Sequence, residues 1–339
     1  MGYGERTDQV VGALSRLLQV RAAKHNTVTD LEPYLDLDPD RLFPRPPPIE
    51  QMHVQRSLVD RATRSSTLSW QSSHEVLCDR YRRRHEREYR RNLVAWARWV
   101  RPERRQRRAC LVYVHGWLEP GSWVEEATIF PKWGRALGVD LVHVALPFHG
   151  RRNPHRALFS GEYYWTADLV RTVEGVRQSI CDLRAAVEWL RRQGYDQVGV
   201  SGISLGGALT MLLGCLEPMP DWIAPIVAHL QLVDAVEEAP ILWRMKRDLD
   251  AWGIDRSRRS ELFDRLGWAS YRPKLAAERQ LWVQAREDQY IDAGLVRQQW
   301  EAWSRPPILW IEGGHMTFPM HMDRITARIA EFRRTVPGG

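Results

Sequence analysis

Ser204 lies in the stretch Gly202-Ile203-Ser204-Leu205-Gly206-Gly207, with the apolar run QVGVS before it and ALTMLLG after it. A serine set between small residues, where a strand ends and a helix begins, has the surroundings of an activated nucleophile. The turn must be sharp, and only small neighbours at 202 and 206 let the chain pass so close to itself. The amide of Leu205 then lies at a helix N-terminus, where a developing oxyanion is stabilised. Acyl transfer through a serine also needs a base, an acid that orients the base, and a second oxyanion donor. Gly313-Gly314-His315 follows the run ILWIE, so His315 is expected to swing from a loop toward Ser204. The acid is expected after RQLWVQA, where Arg286-Glu287-Asp288-Gln289-Tyr290-Ile291-Asp292 offers three carboxylates. Asp288, three residues past the strand, is the expected acid, and Asp292 reads as the N-cap of the next helix. Asp234, after the preceding strand, is the alternative.

His115-Gly116-Trp117 ends the run CLVYV, the place for the second oxyanion donor, which is assigned to the amide of Trp117. His115 itself reads as a structural hydrogen-bonding residue rather than a base. Of the 16 tryptophans, Trp117, Trp123, Trp165, Trp243, Trp252 and Trp268 fall on loops beside the site or on a proposed cap. Together they suggest a dry, aromatic acyl pocket, with His115, Trp123, Trp165 and Trp243 as candidate lining.

The elements that must hold these residues can be read in turn. CLVYVH, VDLVHVAL, QVGVSG, IAPIVAHL, RQLWVQA and PPILWIEG are short apolar runs separated by helical patterns. The clearest helix covers Ala167 to Gln193, with Leu169, Val173, Val176, Ile180, Leu183, Val187 and Leu190 on one face and Gly194 as its stop. Strand alternating with helix implies an α/β fold with a mostly parallel, doubly wound sheet. Residues 66–335 are expected to form that domain, with 235–273 as a helical cap inserted over the carboxyl ends of the strands. Residues 1–65 read as an N-terminal extension: a helix from Asp8 to about Lys24, carrying Val10, Val11, Leu14, Leu17 and Leu18, then a proline-rich loop. Asp36, Asp38 and Asp40 imitate the start of a calcium loop, but Arg41 and Pro47 stand where that loop needs Gly and Glu. No metal and no cofactor is expected.

From about residue 66 to 335 the chain resembles an alpha/beta hydrolase, whose nucleophile, acid and base follow in the order Ser204, Asp288, His315. The stretches ALPFHGRRNP and GYDQVGVSGISLGGALTMLLG are similar to the group that contains alpha/beta hydrolase domain-containing protein eighteen and its bacterial relatives. The resemblance implies the alpha/beta hydrolase fold and a serine hydrolase acting on a carboxylic or lipid ester. Acyl transfer, thioester cleavage and amide cleavage use the same residues and stand as alternatives. The stretch His-Gly-Trp-Leu-Glu-Pro-Gly is bulkier than the usual small-residue oxyanion loop.

Composition limits the remaining classes. The chain has 339 residues, 49 Lys+Arg against 42 Asp+Glu, and 44% hydrophobic residues, enough to bury a full core. No apolar run approaches the roughly 18 residues of a spanning helix. The first residues lack a secretory apolar core. Cys78, Cys110, Cys181 and Cys215 form no CxxC, so reduced thiols and a cytoplasmic location are expected. Between Arg80 and Arg108 stand 13 arginines against Glu86, Glu88 and Glu103. That stretch makes polyanion binding the non-enzymatic alternative. The favoured reading is instead the first hairpin of the sheet with charged flanks on an edge strand, and no nucleic-acid partner.

Overall fold

The six apolar runs become the strands β4 (Ala109–Val114), β5 (Asp140–Ala145), β6 (Gln197–Ile203), β7 (Trp222–Ile226), β8 (Trp282–Ala285) and β9 (Ile308–Ile311), and three strands precede them, β1 (His53–Arg56), β2 (Thr63–Gln71) and β3 (Val94–Pro102). They form one sheet in the order β1-β2-β3-β5-β4-β6-β7-β8-β9. The computed structural model describes residues 2–56, 63–102, 108–216 and 220–336. β1, β2, β3 and β5 pair antiparallel in succession, and every pairing from β5 through β4 to β9 is parallel. β4 and β6 are buried at every position, as uninterrupted apolar runs require of strands covered on both faces.

The helices used below are α1 (Tyr3–Leu18), α2 (Asp79–Glu88), α3 (Trp123–Thr128), α4 (Phe130–Leu137), α5 (Leu169–Arg192), α6 (Leu205–Gly214), α7 (Leu232–Glu238), α8 (Trp243–Ala251), α9 (Arg256–Leu266), α10 (Ala293–Ala302) and α11 (Met322–Thr335). α5 and α6 share the apolar core of one sheet face, and α4 and α11 that of the other. This is the doubly wound arrangement expected from the alternation of strand and helix. No helix among the described residues is long and apolar enough to cross a membrane. The four cysteines are buried free thiols.

α5 is buried on its polar side as well as its apolar one. Arg177 donates to the Leu42 carbonyl at 2.8 Å and Arg184 to the Phe43 carbonyl at 2.6 Å. The Tyr34 hydroxyl donates to Glu174 at 2.5 Å. The proline-rich segment therefore wraps the outer face of α5, and each guanidinium satisfies main-chain carbonyls that no helix or strand could pair.

Three expectations are corrected by the structure. The sheet begins at His53, before residue 66, because β1 pairs with β2. The first helix spans Tyr3–Leu18 rather than Asp8 to Lys24, and it packs through Gly4, Asp8, Gly12 and Ser15. Its apolar residues Val10, Leu14 and Leu17 face solvent. Much of the Arg80–Arg108 stretch is not a hairpin. Its first part is α2, whose Tyr81 and His85, followed by Tyr89, turn an aromatic ridge of four-residue spacing into the core. β3 is an interior strand between β2 and β5, not an edge strand and not a hairpin partner of β4. Residues 103–107, with Arg104, Arg105 and Arg107, lie outside the described residues.

The loop after β5 is tied down by Arg152, fully buried, which bonds to Asp182 on α5 at 2.8 Å and to the carbonyls of Ala145 and Asn92 at 3.1 and 2.9 Å. Arg151 instead stacks over Trp96. Removing one member of a buried pair strands the other charge. Arg152→Ala is expected to destabilise the fold by about 4 kcal/mol in urea unfolding. The double change Arg152→Met with Asp182→Leu should cost much less than the two single changes added together.

Candidate active site

Ser204 occupies the turn between β6 and α6 with φ 55° and ψ −115°, a left-handed conformation that a side chain rarely adopts. The turn is held by its surroundings. A Cβ at Gly202 would collide with the main chain of Gly206, and one at Gly206 with the main chain of Val114 on β4. The Ser204 amide donates to the Ile226 carbonyl on β7 at 2.9 Å. The hydroxyl is thus fixed where α6 starts, close to the helix N-terminus.

Three loops at the same end of the sheet bring the candidate partners together. His315 Nε2 lies 2.9 Å from Ser204 Oγ, and His315 Nδ1 lies 2.8 Å from Asp288 Oδ2. Asp288 Oδ1 accepts from the amides of Tyr290 and Ile291, both at 2.8 Å, which fixes the carboxylate toward the ring. The Tyr290 ring packs on the imidazole with centroids 4.8 Å apart. Burial opposes a charge on His315, but the charge and hydrogen bond of Asp288, with the charge of Asp8, override it and raise its pKa. Asp292 caps α10 through the Leu295 amide at 2.8 Å. Asp234 lies on α7, paired with Arg256.

These residues open on a cavity of about 850 Å³. Gly116, Trp117, Leu205 and Trp165 line it, as do apolar residues of α6 and of the segment from α7 to Leu242. The Trp117 indole donates to the Gly161 carbonyl at 2.8 Å, which pins the loop after β4. Three of the expected lining residues lie elsewhere. His115 is buried behind the wall, where it accepts from the Leu146 amide at 3.0 Å and stacks on His143. Trp123 is 68% exposed. Trp243 lies outside the cavity wall, under Arg16, Arg244 and Arg247. In each case chain position placed the residue near the site, but the local turn aimed its side chain away. Asp36 pairs with Arg265 and Asp38 caps a helical turn, so the calcium-like run is occupied with protein partners.

Residues 88–245 match the family model for alpha/beta hydrolase domain containing 18. Two uncharacterised proteins of Mycobacterium tuberculosis, MT2702 (strain CDC 1551 / Oshkosh) and Rv2627c (strain ATCC 25618 / H37Rv), are each 29% identical over 233 residues. The match covers 62% of this chain and 50% of each relative, so the chain spans about half the length of the curated relatives it matches. An acetyl xylan esterase from Paenibacillus sp. R4 superposes with a TM-score of 0.63 at 14% identity, over 94% of this chain and 98% of that one. Acetyl xylan esterase 1 from Thermoanaerobacterium sp. JW/SL YS485 gives 0.58 at 15% identity, with the same coverage. By fold the chain is an alpha/beta hydrolase.

In this fold the N-terminal helix reaches into the site, which the sequence did not disclose. Asp8 on α1 is fully buried. Its carboxylate accepts from the amides of His315 and Met316, both at 2.7 Å, and of Gln289 at 3.0 Å. Its carbonyl accepts from the Tyr290 hydroxyl at 2.9 Å. One side chain thereby clamps the loop that carries Asp288 to the loop that carries His315. Burial raises the Asp8 pKa, while the three amides pull it back. The close approach needs Gly4, where a Cβ would strike the Gly313-Gly314 backbone. The available signal was an Asp among small residues spaced by four.

Asp8→Asn keeps the shape but turns a donor or a neutral oxygen toward amides that need a charged acceptor. It is expected to lower stability by about 2 kcal/mol. It should also slow fluorophosphonate labelling of Ser204 about a hundredfold by misplacing His315. Labelling at the wild-type rate would show that α1 has no positioning role.

Proposed function

We propose that this chain hydrolyses carboxylic esters, with Ser204 as nucleophile, His315 as base and Asp288 as the acid that orients it. The observation that carries this reading is the unbroken Ser204–His315–Asp288 chain of 2.9 and 2.8 Å contacts facing an apolar cavity of about 850 Å³. His315 Nε2 takes the Ser204 proton as Oγ attacks the ester carbonyl. The oxyanion is held by the amides of Leu205 and Trp117, whose residues both line the cavity beside Ser204. Collapse expels the alcohol, which receives the proton from His315. Water then attacks the acyl-enzyme with His315 again as base, and the free acid leaves. Leu209, Leu212, Leu230 and Leu242 along the wall support an apolar acyl group rather than a charged one. A lipid ester falls within that description.

An ester series graded by acyl length tests the reading. Ser204→Ala should abolish turnover, a loss that can reach about a million-fold, and should leave thermal unfolding nearly unchanged. Asp288→Asn should cost on the order of 10⁴-fold by losing control of the His315 tautomer, whereas Asp292→Asn and Asp234→Asn should be mild. Retention of a tenth of the activity by Ser204→Ala would overturn the assignment.

The pH profile gives a separate check. His315 acts as a base only when neutral, so kcat/KM falls as the pH drops through its pKa. With that pKa raised, the acid limb should lie above the pH at which a free imidazole titrates. Removing the Asp288 charge should move the limb to lower pH, because the imidazolium loses its counter-charge.

A further inference from the structure

We propose that Glu119, Glu125 and His143 form a binding site for a divalent transition-metal ion, zinc in first place, behind the loop that carries Trp117. One ligand atom from each residue lies within 4.8 Å of the other two. Glu119 comes from the loop after β4, Glu125 from α3 and His143 from β5, so three separate elements converge on one point. Glu125 is 5% exposed and His143 2%.

The decisive observation concerns two buried acceptor atoms without partners. His143 Nε2 is buried and has no hydrogen-bond partner among the described residues, and the same holds for Glu125 Oε2. A neutral imidazole with its proton on the other ring nitrogen offers a lone pair at Nε2, the form in which histidine binds metal. An imidazole lone pair and a carboxylate oxygen are both acceptors, and a cation serves both at once. Burial pushes both carboxyls up, Glu119 to about 8, and a divalent charge at the cluster can take the place of the proton that their proximity favours.

The groups around the cluster leave this role open. Glu125 faces the Tyr113 hydroxyl and Glu119. Glu119 accepts from the Gly121 amide at 3.2 Å. Arg98, the neighbouring cation, is held by both oxygens of Glu126 at 2.9 Å. An imidazole with two carboxylates favours zinc or manganese over magnesium or calcium. Three protein ligands leave room for water or substrate. Glu119 and Glu125 line the Ser204 cavity and His143 lines an adjoining one, so an ion has a route in. Glu119 stands two residues from Trp117, and an ion there would brace the loop that carries the candidate oxyanion donor.

The test reads metal uptake, so it is independent of ester hydrolysis. The full chain, stripped on a chelating resin, is titrated calorimetrically with zinc chloride. One ion per chain is expected, with Kd below about 1 µM. Glu119→Gln, at a half-buried loop position, should weaken uptake at least about a hundredfold, and Ser204→Ala should leave it unchanged. Cobalt loaded into the wild-type chain should give visible absorption that Glu119→Gln loses, a readout that needs no second variant. Failure of the wild type to take up zinc, or equal uptake by Glu119→Gln, would overturn the proposal.

Discussion

The crowding of main chain around Ser204 is the constraint on which the rest of the site depends. β4, β6 and the start of α6 meet so closely that Gly202 and Gly206 have no space for a side chain. The turn that results forces Ser204 to φ 55°. Such a conformation costs on the order of 1–3 kcal/mol and persists only when its neighbours over-determine it. Here the neighbours are the central strands of the sheet, buried on both faces, so the strain rests on the most rigid part of the molecule. The hydroxyl is therefore placed by the core, and the loops need only bring His315 and Asp288 to it.

Loops alone would hold those two residues loosely, and the N-terminal helix changes that. α1 docks through a narrow small-residue face, with Asp8 receiving amides from both loops. Charge-assisted bonds to a buried carboxylate are worth about 1.5–3 kcal/mol each. Those bonds carry the docking of a helix whose apolar residues Leu14 and Leu17 remain in solvent. The same carboxylate lies near the imidazole and contributes to holding its pKa up. Asp288 dominates the electrostatics at His315, and Asp8 adds to both its position and its charge balance from outside the strand–helix region from which the fold was read.

What could be read from the sequence follows from the range of the interactions involved. The strand–helix alternation, the Ser204 turn and the loops of Asp288 and His315 are written in contiguous residues, and these the structure places together. The separation of Asp288 from Asp292 was legible because an N-cap is a local feature. Side-chain aim was not, which is why His115, Trp123 and Trp243 leave the cavity wall while Trp165 stays in it. The apolar spacing of α1 marked a helix but not its docking face, because tertiary hydrogen bonds select the face of Gly4, Asp8, Gly12 and Ser15. Glu119, Glu125 and His143 lie on different elements, and nothing in their spacing foretells that they meet.

The preference for arginine over lysine, 45 against four, takes on a physical meaning in the fold. Arg152, Arg177 and Arg184 are buried; the first two each span acceptors on different segments, and Arg184 takes the adjacent carbonyls of Phe43 and Pro44. Within the Arg80–Arg108 stretch, Arg84 meets Asp168 at 2.6 Å, Arg98 meets Glu126, and Arg82 and Arg91 reach the carbonyls of Val76 and Asn153. A planar fork of five donors can close several such bonds at once, which an ammonium on a flexible stem does poorly. The proline-rich segment around α5 has main-chain carbonyls with no helical or strand partner, and it is these that the guanidinium groups satisfy. Much of the local positive charge is therefore engaged in holding irregular chain against the sheet.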